Sequence, residues 1–191
     1  LDMNHVEWIV TKESFDNNPI FKENVIDYPI SSICADHVVD NRVANREFLF
    51  ASMKPICEAA QRNNIRNVTI PLLEDSDVND DVIRAEFCES VAELAKKYEN
   101  LNFSIEAELH PDKLIEIIEL GDNFSVTYDT GNITSCKLDH EEYIDRLANR
   151  ISNVHLKDRT FDAGTVDPTT GDTNFNLIFQ KLCDINYTGI F

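Results

Sequence analysis

"FSVTYDT", residues 124–130, carries the reading that decides the fold of this 191-residue chain. Successive side chains of a strand point to opposite faces, so Val126 and Tyr128 share one side while Thr127 and Asp129 share the other. One face is apolar and suits a covering layer of helices. The other ends in a carboxylate at the C-terminal end of the run.

The same parity recurs along the chain. In "FSIE" (103–106), Phe103 and Ile105 oppose Ser104 and Glu106; in "NVHL" (153–156), Val154 and Leu156 oppose Asn153 and His155. In "SICAD" (32–36), Ser32, Cys34 and Asp36 share a face. A doubly wound open sheet would cover both faces and show near-continuous apolar strands. A barrel keeps its helices outside and a polar site at its C-terminal mouth. The parity predicts the barrel.

Seven runs have strand length and strand residues: 5–10, 31–36, 67–72, 103–108, 124–130, 151–156 and the final 189–191. Between them, Leu49, Met53, Ile56 and Ala60 form a stripe of helical period. So do Ile83, Phe87, Val91, Leu94 and Tyr98, and further on Phe175, Ile178, Phe179 and Leu182. Leu114, Ile117 and Ile118 repeat the pattern after Pro111, and Tyr143, Ile144 and Leu147 before the run at 151. Alternating strands and helices predict a parallel sheet with right-handed crossovers. No linker-like tract interrupts residues 1–191, so one domain is expected.

Composition narrows the partners. Seventeen basic against thirty-five acidic side chains leave a net charge of −18, which repels phosphate backbones and anionic lipid. Neither nucleic acid nor membrane is an expected partner. No apolar run approaches the roughly 18 residues of a bilayer span, and no secretory leader is visible; a soluble, cytoplasmic protein is expected. Cys34, Cys57, Cys88, Cys136 and Cys183 are widely spaced with no C-x-x-C pair, which predicts reduced, mostly buried thiols rather than a disulfide framework.

Glu106, Asp129 and His155 each end a strand on the inward face. Two carboxylates and an imidazole converging at a barrel mouth make a site for Mn²⁺, Mg²⁺, Co²⁺ or Zn²⁺. The ligands bind deprotonated, so occupancy is expected to fall below about pH 6. The plain alternative is a strand-end histidine satisfied by a backbone carbonyl, beside solvated or capping carboxylates.

"FSIEAEL" (103–109), "VTYDTGN" (126–132), "VHLKDR" (154–159), a glycine-containing loop and "NFNLIFQKLCDINYTGIF" (174–191) resemble the sugar-phosphate isomerase/epimerase branch of the xylose-isomerase-like TIM barrels. The resemblance implies a (β/α)8 barrel and a divalent metal on Glu106, Asp129 and His155. It also implies that Arg159 contacts substrate oxygens. In this family a fourth ligand, a glutamate that doubles as the second catalytic carboxylate, ends the eighth strand. Here "YTGIF" stops within that strand, and "HVEWIV" resembles the second one. The expectation is an incomplete barrel, lacking the first βα unit and the end of the eighth, since a full barrel takes about 250 residues. Weak metal binding and association of copies through open edges are expected to follow.

Other residues carry smaller expectations. His37, beyond the "SICAD" run, and Glu74 in "PLLEDSD" are candidates for lining a substrate pocket, against readings as an idle loop histidine and a solvated acidic turn. Glu7 faces inward if Trp8 packs outward, and otherwise is a structural charge at the barrel bottom. Lys157 and Asp158 either pair or support the metal site. Arg159 has the alternative of a surface pair with Asp158 or Asp162. Gly164 and Gly171 are turn residues, and their amides are candidates for a phosphate.

The resulting expectation is a metal-dependent isomerase or epimerase of a sugar or sugar phosphate, with a Lewis-acid metal, an enediolate intermediate and Glu106 exchanging the carbon-bound proton. A barrel that binds metal or sugar without turnover is the alternative. The DNA-repair endonuclease chemistry of the same superfamily fits poorly with five histidines and a charge of −18.

Overall fold

Six strands form one parallel sheet in chain order: β1 (Val6–Ile9), β2 (Ile30–Cys34), β3 (Asn67–Leu72), β4 (Asn102–Ala107), β5 (Phe124–Asp129) and β6 (Ile151–His155). The computed structural model describes residues 4–22, 28–161 and 164–191. Every neighbouring pair is parallel. Beyond β6, Ile190 bridges Asn153 in parallel, and its carbonyl accepts from the Val154 amide at 2.9 Å. The sheet is an open part of a TIM barrel: the strand parity predicts the barrel, and the family resemblance its incompleteness.

The covering helices are α1 (Arg46–Arg62), α2 (Asp81–Lys97), α3 (Pro111–Ile118), α4 (Thr130–Ser135), α5 (His140–Leu147) and α6 (Phe175–Asp184). Their starts are written into the sequence. Asn45, Asp80, Asp139 and Asn174 accept hydrogen bonds from first-turn amides of α1, α2, α5 and α6, satisfying donors that have no helical partner. The predicted stripes face inward: Leu49, Met53, Ile56, Phe87, Val91, Leu94, Leu114 and Ile117 are fully buried against the strand residues Phe103, Ile105, Val126 and Val154. Each such side chain contributes about 1.5–3 kcal/mol of transfer free energy.

Four local expectations are corrected. Between β1 and β2 the described residues hold two short 3₁₀ turns, Phe15–Asn17 and Pro19–Phe21, and no α-helix. Phe179 is exposed and stacks on Phe175, 6.3 Å away, leaving Ile178 and Leu182 to bury α6. Leu156 is exposed because the chain has already left β6. The five cysteines are free, but Cys136 and Cys183 are exposed. Among the described residues no helix is long and apolar enough to cross a membrane.

The inner face is polar from the floor upward. Thr127 Oγ1 lies 2.7 Å from Ser104 Oγ and 3.4 Å from Thr69 Oγ1, and Ser152 links Ser104 to Ser125 at 3.0 and 2.8 Å. These hydroxyls, all buried except the half-buried Ser152, satisfy one another, which removes the cost of burying them unpaired. The ionisable residues lie one step further along the strands.

Candidate metal centre

Glu106, Asp129 and His155 stand at the C-terminal ends of three adjacent strands, β4, β5 and β6, so parallel pairing alone brings them together. One ligand atom from each lies within 4.8 Å of the others, and among the described residues this is the one such group of three. His155 presents Nδ1 to Glu106 Oε2 at 3.6 Å and to Asp129 Oδ2 at 4.0 Å. Both carboxylates are buried. Two carboxylate oxygens and an imidazole nitrogen are a hard-to-borderline donor set, and they fit a divalent ion.

Each ligand candidate is held by its surroundings. Asp129 Oδ1 caps α4 by accepting from the Asn132 amide at 2.8 Å, leaving Oδ2 toward the cluster and 3.7 Å from Lys157 Nζ. Asn132 Nδ2 donates to Glu106 Oε1 at 3.0 Å. Burial, aided by the charge of Asp129, raises the Glu106 carboxyl above its ordinary range despite the nearby His155.

Glu7 points inward. Trp8 faces the other way and donates through Nε1 to Asn18 at 2.8 Å. Glu7 Oε2 lies 2.7 Å from His155 Nε2, and Oε1 accepts from Ser32, Thr69 and Asn153 at 2.7, 2.9 and 3.3 Å. Burial works to raise this carboxyl, but His155 and the hydroxyls of Ser32 and Thr69 outweigh it and hold it low.

Arg159 lies beside the cluster rather than in it. Its guanidinium donates to Glu108 at 3.0 Å and to Asn132 Oδ1 at 3.1 Å. Asp158 is not its partner: its carboxylate accepts from the amides of Gly171 at 2.9 Å and Thr173 at 3.2 Å. Asp162 lies outside the described residues. The Gly171 amide is thus already engaged, and Gly171 has ordinary negative φ. It is glycine because a Cβ would fall 2.4 Å from Asp158 Oδ1 and 2.8 Å from the Arg159 carbonyl.

Neither His37 nor Glu74 is part of the cluster. His37 sits in the 3₁₀ turn Asp36–Val38 and stacks on Phe15 at 4.4 Å; its ring nitrogens have no hydrogen-bond partner among the described residues. Glu74 is exposed, with a left-handed backbone (φ 53°). Nothing in the sequence singles out Asn132, although it closes the "DTGN" stretch; its bridging role depends on contacts with Glu106, at the end of β4, and Arg159, beyond β6.

Several solved structures share this fold. A xylose isomerase domain protein from Planctomyces limnophilus superposes with a TM-score of 0.75 at 17% identity, covering 98% of this chain and 80% of its own. A D-tagatose 3-epimerase-like protein gives 0.74 at 18% identity, with 100% and 81% covered. The IolI protein, solved with a zinc atom bound, gives 0.75 at 14% identity, with 98% and 77% covered. No curated protein matched the chain. The family model described as xylose isomerase-like TIM barrel matches residues 21–191. With six parallel strands in barrel order and a sequence match over most of its length, the chain belongs to the xylose isomerase-like TIM barrel family.

Proposed function

We propose that this chain, as one barrel domain over residues 1–191, is a divalent-metal-dependent isomerase or epimerase acting on a sugar or sugar phosphate. The observation that carries the reading is the convergence of Glu106, Asp129 and His155 at the ends of adjacent strands. Those three side chains would hold the ion, which when bound supplies Lewis-acid polarisation of a carbonyl and its neighbouring hydroxyl.

The residues around it divide the remaining work. Glu106 takes the proton from the carbon beside the carbonyl, giving an enediolate. Burial raises its proton affinity above that of an ordinary carboxylate, which suits a base that must later return the proton. Asn132 restrains Oε1 and so fixes the carboxylate with Oε2 turned toward His155 and the proposed ion. Arg159 offers a planar fork of donors to substrate oxygens, and Glu108 and Asn132 orient it. His37 is a further candidate for a substrate hydroxyl, but its buried nitrogens require the Phe15 stack to open first. Glu74, on the exposed side, is a candidate only for a substrate that extends to the rim.

The test joins metal content to carbon chemistry. Purified protein, loaded with Mn²⁺, is incubated in D₂O with ketoses and their phosphates, and proton NMR follows deuterium entering the carbon next to the carbonyl. Exchange in wild type that is lost in Glu106→Gln, together with metal content that falls in His155→Ala, is expected. Metal content equal in wild type and His155→Ala would remove the basis of the reading; metal bound without any exchange would leave a binding barrel in place of an enzyme.

A further inference from the structure

Glu7 is not one of the three clustered ligand candidates, yet it makes the shortest polar contact to any of them. Its Oε2 lies 2.7 Å from His155 Nε2 across 148 residues of sequence. The other ring nitrogen, Nδ1, is the one that faces Glu106 and Asp129. Glu7 is therefore on the far side of the imidazole from the cluster.

Its remaining oxygen is spoken for. Oε1 accepts from Ser32 on β2, Thr69 on β3 and Asn153 on β6, so three strands hold the carboxylate in one orientation. A carboxylate tied in this way cannot swing round the ring to become a ligand without breaking those bonds. It can do something else. An ionised carboxylate only accepts hydrogen bonds, so the 2.7 Å contact requires a proton on Nε2, and Nδ1, which faces the two acidic side chains, is the nitrogen left to give up its proton to an ion. The Asn153 amide lies 3.2 Å from the same Nε2. As a donor it would demand the opposite tautomer, but its bond to Glu7 Oε1 gives it another acceptor.

We infer that Glu7 is a positioning residue for His155: it accepts the Nε2 proton, fixes the ring plane and commits Nδ1 to the metal. The inference rests on the proposed metal reading, and it adds a residue from β1 to a site otherwise built from β4, β5 and β6. Carboxylates that accept from the second nitrogen of a ligating histidine change metal affinity by about 10- to 100-fold.

The probe is Zn²⁺ alone, added to the full chain, with calorimetry for affinity and long-range ¹⁵N NMR of the imidazoles. In Zn²⁺-loaded wild type the His155 spectrum should show a proton on Nε2 and none on Nδ1. Glu7→Gln should bind Zn²⁺ about 10- to 100-fold more weakly while its circular dichroism stays that of wild type and it still melts cooperatively, and Glu7→Asp should recover part of the loss. Zn²⁺ bound through Nε2 overturns the assignment, and so does unchanged affinity in Glu7→Gln. A loss as complete as that of Asp129→Ala would make Glu7 a ligand instead. If wild type binds no Zn²⁺, the metal reading fails separately; the metal-free spectrum then decides for Glu7. An exchange-protected Nε2 proton that disappears in Glu7→Ala supports its role in orienting the ring, and the absence of that proton in wild type refutes it.

Discussion

Asn132 donates its side-chain amide to Glu106 Oε1 across 3.0 Å while its own Oδ1 accepts from Arg159 at 3.1 Å. One buried amide thus couples the proposed base to the proposed substrate-binding guanidinium.

Asn132→Leu, similar in size, should cut both links. Leaving a buried carboxylate oxygen and a guanidinium donor short of a partner costs about 1–3 kcal/mol, so the melting temperature should drop. Any deuterium exchange should fall further than metal content, because Asp129 and His155 are untouched. Equal losses of metal and exchange would mean that Asn132 acts by holding the metal ligands.

Metal binding should strengthen well above neutral pH. Burial alone would lower His155, but hydrogen bonds and charges from Glu106 and Glu7 outweigh it and push it up to about 10. The metal-free imidazole therefore carries both protons at pH 7, and an ion must displace one. This moves the pH dependence above the value of about 6 expected for an ordinary histidine. Affinity for Zn²⁺ should climb as pH rises from 6 toward 10, with about one proton released per ion from His155. Calorimetry in buffers of differing ionisation enthalpy measures the release, and a flat affinity from pH 6 to 9 would contradict it. Stability of the metal-free protein has a matching sign. The raised histidine contributes fully below about 6.5, and its contribution is lost as pH rises through about 10.

His37 should make the protein acid-sensitive. Burial brings its imidazole down to about 4, so the folded state resists a proton that the unfolded chain accepts near 6.5. Its contribution is intact above 6.5 and is lost as pH falls toward 4. His37→Phe keeps a ring against Phe15 and removes the titrating group. The variant should lose less melting temperature than wild type between pH 7 and pH 5. Parallel curves for the two proteins would show that His37 does not titrate in this range.

Gly171→Ala should be more damaging than Gly131→Ala. At Gly171 an added Cβ meets the Arg159 carbonyl at 2.8 Å, and backbone cannot yield cheaply. At Gly131 it meets the flexible stems of Lys157 and Arg159 at 2.9 and 3.0 Å. Overpacking of this kind costs about 1–3 kcal/mol, with Gly171→Ala at the upper end because it also disturbs the Asp158 bonds to the 171–173 amides. Thermal melts of the two variants give the order directly.

The strand parity of "FSVTYDT", "FSIE" and "NVHL" by itself determined the barrel class and the inward placement of Glu106, Asp129 and His155. Alternation along a strand is a local property, and parallel pairing of consecutive strands then brings strand ends together. The helical stripes of α1, α2, α3 and α5 were legible for the same reason. Tertiary structure alone decided the rest. Helix α4, "TGNITS", has no apolar stripe and is set by the Asp129 cap and by Thr130, whose hydroxyl donates to the Lys157 carbonyl at 2.7 Å. Phe179 is exposed because Ile178 and Leu182 alone face the core. Glu7 reaches His155, and Asn132 joins Glu106 to Arg159, only through the curvature of the sheet, which closes distances of 148 and about 26 residues along the chain. Local pattern tells which way a side chain points; what it meets there depends on strand register and curvature, which are set by the packing of the whole sheet.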